Sequence, residues 1–126
     1  MSLTDDLRRG YAPGVALEVS IPELTLPQMV EEVARRYPQR VALDFFSRSI
    51  TYAQLVDRVR RAASVLARAG VAPGDRVALM MPNCPQHVIA ILATMTLGGI
   101  VVEHNPLSPV LEIKKEFEAH GARVVI

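Results

Sequence analysis

Cys84 and His87 are the two neighbouring side chains in this sequence that are best suited to chemistry. They lie three residues apart at the start of an apolar segment, so a helix there would place both on one side of its first turn. A helix amino terminus favours the thiolate form of cysteine, which acts as a nucleophile or redox group. A reactive thiol also needs an oriented base and a donor pocket. We therefore interpret Cys84 as a small packing residue and His87 as a half-exposed one, with a thiol enzyme as the alternative.

Glu103 and His104 end a second apolar segment, where a carboxylate and an imidazole could serve as general acid and base. Neighbouring residues of a strand point to opposite faces, so these two cannot act together as a dyad. We interpret them as polar residues at a strand end. His87, His104 and His120 do not have the spacing of metal ligands, and one distant cysteine does not complete such a set. No metal site is predicted.

Two features could be mistaken for an anion site, although the sequence has no glycine-rich phosphate loop. Gly98-Gly99 precedes a predicted strand rather than a helix, so it cannot present a helix amino terminus to a phosphate. We expect this pair to end a helix. The other feature is an arginine cluster on one predicted helix, made of Arg58, Arg60, Arg61 and Arg68. It is interpreted as the solvated face of an amphipathic helix.

Two short strands and the helix between them must position Cys84, His87, Glu103 and His104. Arg76–Met81 and Ile100–His104 predict strands, and Val88–Leu97, apolar on nearly every side, predicts a buried helix. A helical crossover joins parallel strands, and functional groups then lie in the loops at the carboxyl ends of those strands. These loops carry Pro82, Asn83, Cys84, Asn105, Pro106 and Leu107. None of them is a strong catalytic candidate.

A helix and a hairpin are predicted before this central unit. Thr25 and Gln28 form a capping box that begins the helix, and Pro38 ends it. Its apolar stripe consists of Leu26, Met29, Val30, Val33, Ala34 and Tyr37. A strand at Val41–Phe46, a tight turn at Ser47-Arg48 and a strand at Ser49–Thr51 together predict a small hairpin over residues 41–51.

Two further helices flank the central unit. Thr51 and Gln54 form a second capping box, and Gly70 ends the helix that it begins. The apolar face of this helix consists of Leu55, Val59, Ala62, Leu66 and Ala69. Near the carboxyl end of the sequence, Ser108 is predicted to cap a helix with Pro109 at its first position and Gly121 at its end. The inner side of that helix is predicted to carry Val110, Ile113 and Phe117, and a last strand is predicted at Arg123–Ile126.

The composition describes one domain with enough apolar residues to bury a core, since half of the 126 residues are apolar. A formal net charge of +1 without a basic stripe argues against a nucleic-acid partner. The amino terminus lacks the apolar core of a secretory signal, and the most apolar window is too short to span a membrane. The single cysteine excludes an internal disulfide and suits a reducing environment, so a cytoplasmic location is predicted.

The sequence divides into an irregular lead-in, residues 1–24, and an α/β unit, residues 25–126. The lead-in contains turn-forming residues, namely Gly10, Pro13, Gly14 and Pro22. The last predicted strand has no helix to cover it, so we expect the sequence to be an amino-terminal fragment of a longer protein. Such a strand leaves an apolar face and unpaired backbone groups, so the fragment alone is expected to self-associate.

Several short motifs, in their order along the chain, resemble the start of AMP-forming acyl-CoA synthetases of the adenylate-forming superfamily. The motifs are Thr51-Tyr52-x-x-Leu55, Gly74-Asp75-Arg76-Val77-Ala78, Pro82-Asn83 and Asn105-Pro106-Leu107. The resemblance covers residues 26–126. The Asn-Pro-Leu segment and the apolar helix before it look most like the medium- and long-chain fatty acyl branch.

This resemblance implies the amino-terminal subdomain of a two-step ligase. The parent enzyme would use ATP, Mg²⁺ and coenzyme A to convert a carboxylic acid, expected to be a fatty acid, into an acyl-adenylate and then a thioester. The family's phosphate loop, nucleotide motifs and carboxy-terminal lysine have no counterpart here. No catalytic, cofactor-binding or metal-binding residue is therefore assigned, and the fragment is expected to be inactive. A non-catalytic α/β interaction or regulatory module remains the alternative.

Overall fold

The computed structural model describes residues 10–16 and 18–126, and it has the predicted α/β architecture. The helices are α1 (Leu26–Arg36), α2 (Tyr52–Arg68), α3 (Pro85–Thr96) and α4 (Val110–His120). The strands are β1 (Val41–Phe45), β2 (Arg48–Thr51), β3 (Arg76–Leu79), β4 (Ile100–Glu103) and β5 (Val124–Val125). Residues 11–16 and 18–24 form turns, bends and irregular backbone, within the predicted lead-in.

The main sheet has three parallel strands in the order β4-β3-β5, so β3 is central. Val77 pairs with Val101 on one side and with Val124 on the other. Each strand lies at its predicted place but is shorter than predicted: β3 by two residues, β4 by one and β5 by two. Because β3 has a neighbour on both sides and helices nearby, Val77, Ala78 and Leu79 are all 0% exposed.

The hairpin of β1 and β2 is a separate two-stranded antiparallel sheet. Its turn is Phe46-Ser47 and not the predicted Ser47-Arg48, because Phe45 pairs with Arg48. Both turn residues have positive φ, 46° and 64°, as a two-residue type I′ hairpin turn requires. Phe and Ser are uncommon at positive φ, so the sequence carries little signal for this turn.

Both predicted capping boxes form. The Thr25 main-chain N–H donates to Gln28 Oε1 at 2.8 Å, and the Thr51 N–H donates to Gln54 Oε1 at 3.0 Å. The predicted stripe of α1 is wrong in part: Ala34 is buried and Val30 and Val33 are half-buried, but Leu26, Met29 and Tyr37 are exposed. On α2, the buried face includes Val56 and Ala63 besides the predicted Leu55, Val59 and Leu66, while Ala69 is exposed.

Helix α3 packs against α2 and the sheet, and the core gathers around it. Buried residues of the core come from β2, α2, β3 and α3, and include Ile50, Leu55, Val59, Leu66, Val77, Leu79, Leu92 and Ala93. Gly98, with φ of 71°, follows the end of α3, so the predicted helix stop is confirmed. Among the described residues, no helix is both long and apolar enough to cross a membrane.

Helix α4 differs most from its prediction. Pro109 occupies the N-cap position itself and Val110 begins the helix, so Ser108 does not cap it. Proline has a fixed φ but no side-chain acceptor, and it starts the helix by geometry alone. Ile113 and Phe117 are half-buried as expected, whereas Val110 is 80% exposed. Gly121 ends the helix in the left-handed conformation, with φ of 63°.

Candidate functional site

An open cleft of about 660 Å³ lies at the carboxyl ends of β3 and β4, where the topology predicts functional groups. Its walls are the loop that follows β3 and the loop that follows β4. Polar groups reach it from α3 and from the end of β4, namely His87, Glu103 and His104. A groove of similar volume, about 680 Å³, lies between α1 and α2, but it is lined by exposed charged residues that include the Arg60–Glu31 ion pair.

His87 and Glu103 form a hydrogen bond across this cleft. His87 Nε2 lies 2.7 Å from Glu103 Oε2, which joins the first turn of α3 to the last residue of β4. The His87 side chain is 15% exposed and that of Glu103 is 50% exposed. A carboxylate in this position fixes the orientation of the imidazole and the nitrogen that carries its proton. Sequence reasoning missed this contact because it joins residues sixteen apart through the packing of α3 on the sheet.

Cys84 is the N-cap residue of α3 and not part of its first turn, since its φ of −148° and ψ of 166° are extended. Its side chain makes no capping hydrogen bond within the described part of the chain. The thiol is half-buried in a smaller cleft of about 300 Å³ that also contains His87 and Phe45. The His87 ring, however, is bonded to Glu103 and not to the thiol. The arrangement supports the packing interpretation of Cys84.

His104 lies at the strand end that the sequence predicts, but it is buried. It follows β4, continues the ladder by donating its main-chain N–H to the Leu79 carbonyl at 2.9 Å, and is 7% exposed. Its Nδ1 lies 2.7 Å from Glu116 Oε2, and its Nε2 lies 2.9 Å from His120 Nε2. Glu103 and His104 therefore diverge as expected, one toward α3 and the other toward α4.

One signal in the sequence pointed to this second cluster. Glu116 and His120 are four residues apart on a predicted helix, so they share a face and can reach one partner together. Which strand residue they meet depends on how α4 packs on the sheet, and local sequence does not determine that. Within the described residues, no group of three or more His, Cys, Asp or Glu side chains is arranged to hold a metal ion.

The arginine cluster on α2 is solvent-exposed, and two of its members have acidic partners. Arg60 lies 3.0 Å from Glu31 of α1, and Arg61 lies 3.0 Å from Asp57 one turn earlier. Two of the four guanidinium groups are therefore already paired with carboxylates, as on the solvated face of an amphipathic helix. Gly98-Gly99 likewise follows a helix end and presents no helix amino terminus.

Comparisons with known proteins agree with the fold and with the motifs. The chain is 34% identical over 116 residues to the long-chain-fatty-acid–CoA ligase of Bacillus subtilis, and this alignment covers 92% of the chain and 20% of the ligase. It is 39% identical over 67 residues to 4-coumarate–CoA ligase 2 of Oryza sativa, which covers 53% of the chain and 12% of that ligase. The chain thus spans a fifth or less of the length of these relatives.

Two solved structures share the fold. The N-terminal subdomain of Klebsiella oxytoca NpsA in complex with 3-hydroxybenzoyl-AMSN superposes with a TM-score of 0.76 at 36% identity, over 79% of this chain and 26% of that one. The inhibitor-bound N-terminal domain of FACL13 from Mycobacterium tuberculosis gives 0.75 at 31% identity, over 79% and 25%. The model of the AMP-binding enzyme family matches residues 30–126, and the chain belongs to that family.

Proposed function

We propose that this chain is the amino-terminal part of an AMP-forming ligase that joins a carboxylic acid to coenzyme A. In the first step the acid's carboxylate attacks the α-phosphorus of ATP, which releases pyrophosphate and leaves an acyl-adenylate. In the second step the thiol of coenzyme A attacks the acyl carbon and AMP leaves. The observation that carries this proposal is the alignment with the Bacillus subtilis long-chain-fatty-acid–CoA ligase over 92% of the chain.

We propose a fatty acid as the substrate, because that alignment is much longer than those with the aryl-acid relatives. The 4-coumarate–CoA ligase match stops at 67 residues. An aryl acid is the second candidate. It is favoured by the higher identity of that shorter match and by the 3-hydroxybenzoyl-AMSN bound to the NpsA subdomain.

The contribution of this part of the enzyme is proposed to be structural support at the cleft beside β3 and β4. The described residues do not fit a magnesium-nucleotide site, since they offer neither a glycine-rich loop at a helix amino terminus nor a carboxylate cluster. We therefore assign ATP, Mg²⁺ and coenzyme A to the remainder of the protein, and propose a cytoplasmic enzyme. No catalytic residue is assigned to the described segment.

The test uses the protein encoded by the complete reading frame, purified and assayed with a panel of fatty and aryl acids. We expect release of AMP and pyrophosphate that depends on the acid, on ATP and on coenzyme A. A preference for fatty over aryl acids supports the proposed substrate, and the reverse preference supports the second candidate. Release of ADP and phosphate would contradict the ligase proposal altogether.

The other two classes are separated by this assay, by the length of the reading frame and by thiol alkylation. A non-catalytic α/β module would release no AMP with any acid, and its reading frame would lack the further domains of a ligase. A thiol enzyme based on Cys84 would be inactivated by alkylation, with a rate that rises with pH as the thiolate forms.

A further inference from the structure

Helix α4 is attached to the rest of the described structure mainly through one polar cluster. None of its residues is buried, and only Ile113, Phe117 and His120 are half-buried. The Phe117 ring stacks on the His104 ring with centroids 4.8 Å apart and an interplanar angle of 17°. Because so little apolar surface is covered, the hydrogen bonds of His104 matter more to the position of this helix than they would for a buried helix.

The direction of each hydrogen bond in the cluster follows from the bond between Ala122 and His120. The Ala122 main-chain N–H donates to His120 Nδ1 at 2.9 Å, so that nitrogen carries no proton. A neutral His120 then has its proton on Nε2 and donates it to His104 Nε2. His104 must in turn carry its proton on Nδ1, which donates to the Glu116 carboxylate.

This arrangement requires both imidazoles to be neutral. A second proton on His104 would sit on Nε2, opposite the Nε2–H of His120 at a separation of 2.9 Å, and two donors would face each other. A second proton on His120 would sit on Nδ1, opposite the Ala122 N–H. Protonation of His104 therefore breaks its contact with His120, and protonation of His120 breaks the bond that closes the end of α4, while the His104 Nδ1–H bond to Glu116 remains in both cases.

The third histidine behaves differently. His87 donates from Nε2 to the Glu103 carboxylate, and a second proton on its Nδ1 leaves this bond intact and strengthens it. The charged and titratable groups that face His104 are Glu116 and His120 of α4, and the His87–Glu103 pair lines the same cleft. From β3, the Leu79 carbonyl accepts the main-chain N–H of His104 and adds no charge.

We propose that the His104–His120 contact is an acid-sensitive latch, which holds the carboxyl-terminal turn of α4 against the end of β4 while both imidazoles are neutral and opens when either is protonated. The sign follows directly: the latch is closed while both imidazoles are neutral, and it opens as the pH falls and either of them takes up a proton. Since His104 lines the cleft, opening of the latch also alters the cleft wall. The proposal does not depend on which acid the parent enzyme activates.

The experiment measures hydrogen exchange of α4 amides in the full-length protein at about pH 7.5 and about pH 5.5, on either side of the histidine range. After correction for the intrinsic pH dependence of exchange, we expect α4 protection to fall by about tenfold at the lower pH. His120→Gln should abolish this loss, because a glutamine amide can donate to neutral His104 and can rotate to accept from protonated His104. The matched control is His87→Gln, which should leave the loss unchanged.

Three results would overturn the proposal. They are unchanged protection of α4 in the wild-type protein, the same acid-induced loss in folded His120→Gln, and removal of the loss by His87→Gln. Should His120→Gln fail to fold, Glu116→Gln provides the decisive measurement. It keeps an acceptor for His104 Nδ1–H but removes the negative charge that favours the imidazolium, so the midpoint of opening must move to lower pH. An unmoved midpoint contradicts the latch.

Discussion

Thr94 is a buried side chain whose hydroxyl has no partner among the described residues. It lies in α3, is 0% exposed, and its Oγ1 is left without a hydrogen bond. A buried donor without a partner is unfavourable because it has lost its water and gained nothing in return. The methyl of the same side chain packs near Gly99, so the position itself is well filled.

Thr94→Val is therefore expected to stabilise α3 by about 1 kcal/mol, since valine has the same shape without the hydroxyl. Hydrogen exchange of α3 amides in the full-length protein should slow by about fivefold. Thr96→Val in the same helix is the matched control, because Thr96 Oγ1 donates to the Leu92 carbonyl at 2.7 Å. That variant should give no gain. Equal effects from the two substitutions would contradict the explanation.

Cys84→Ser is expected to leave the proposed ligase activity of the full-length protein nearly intact. The residue is an N-cap, and serine at that position accepts hydrogen bonds from the first turn better than a thiol does. Cys84→Ala removes the thiol without adding a capping acceptor and should also remain active. A loss of more than about tenfold in kcat, about 1.4 kcal/mol, in both folded variants would establish the thiol as part of the chemistry.

At the scale of single residues, the sequence predicts the role of a side chain when its hydrogen-bond partner is close along the chain. Thr25 and Thr51 find their glutamines three residues later, and both boxes form. His87 and His104 have partners twelve to sixteen residues away, reached only after α3 and α4 pack on the sheet. Their pairing could not be derived from spacing, although the Glu116–His120 interval showed which two residues share a helix face.

Among the elements, the α3–β4 connection is the most tightly built. A Cβ added at Gly99 would lie 2.9 Å from Thr94 Cγ2 and 3.1 Å from the Thr94 carbonyl oxygen. Gly99 also donates its N–H to that carbonyl at 3.0 Å, so the two backbones are fixed together. The loop can reach β4 in this short distance because no side chain separates it from the end of α3.

Gly99→Ala is expected to destabilise this connection by about 1–3 kcal/mol, because the backbone must shift to make room for the methyl group. The measurement is the exchange rate of α3 and β4 amides in the full-length protein, which should increase. Gly10→Ala is a suitable control, since no atom of the described residues lies within 4 Å of a Cβ there and its φ lies outside the left-handed range. Unchanged exchange in Gly99→Ala would show that the loop has more freedom than the contacts indicate.

The ends of elements could be predicted where a residue type sets the local conformation, as where a glycine supplies the left-handed conformation that ends a helix. Ends without such a residue could not be predicted. Gly70, Gly98 and Gly121 all adopt positive φ close to the ends of their helices, as their positions predicted. The hairpin turn and the start of α4 have no residue whose type predicts the local conformation. Phe46 and Ser47 are held at positive φ by strand pairing, and Pro109 takes a position that a polar cap usually occupies.

For the whole molecule, the hydrophobic pattern was sufficient to predict the parallel α/β class, but it was not sufficient to predict the order of the strands in the sheet. β3 is central because both later strands add to it, and only the three-dimensional path of the chain determines that arrangement. The same path decides which apolar side chains remain exposed. Leu107, Val110 and Leu111, around the start of α4, are 88%, 80% and 75% exposed, and Val125 on the edge strand β5 is 50% exposed.

The isolated 126-residue chain is therefore expected to self-associate. Three large apolar side chains close together in sequence form a surface that water solvates poorly, and an edge strand offers unpaired backbone groups to a second chain. Sedimentation velocity over about a hundredfold range of concentration should show a mass that rises with concentration, as mass action requires.

Val110→Lys together with Leu111→Glu should reduce this association. Val65→Lys, at a 55% exposed position on α2, is the matched control and should not. A chain that remains monomeric across the range would contradict the prediction, and association that Val65→Lys suppresses equally well would place the contact on a different surface.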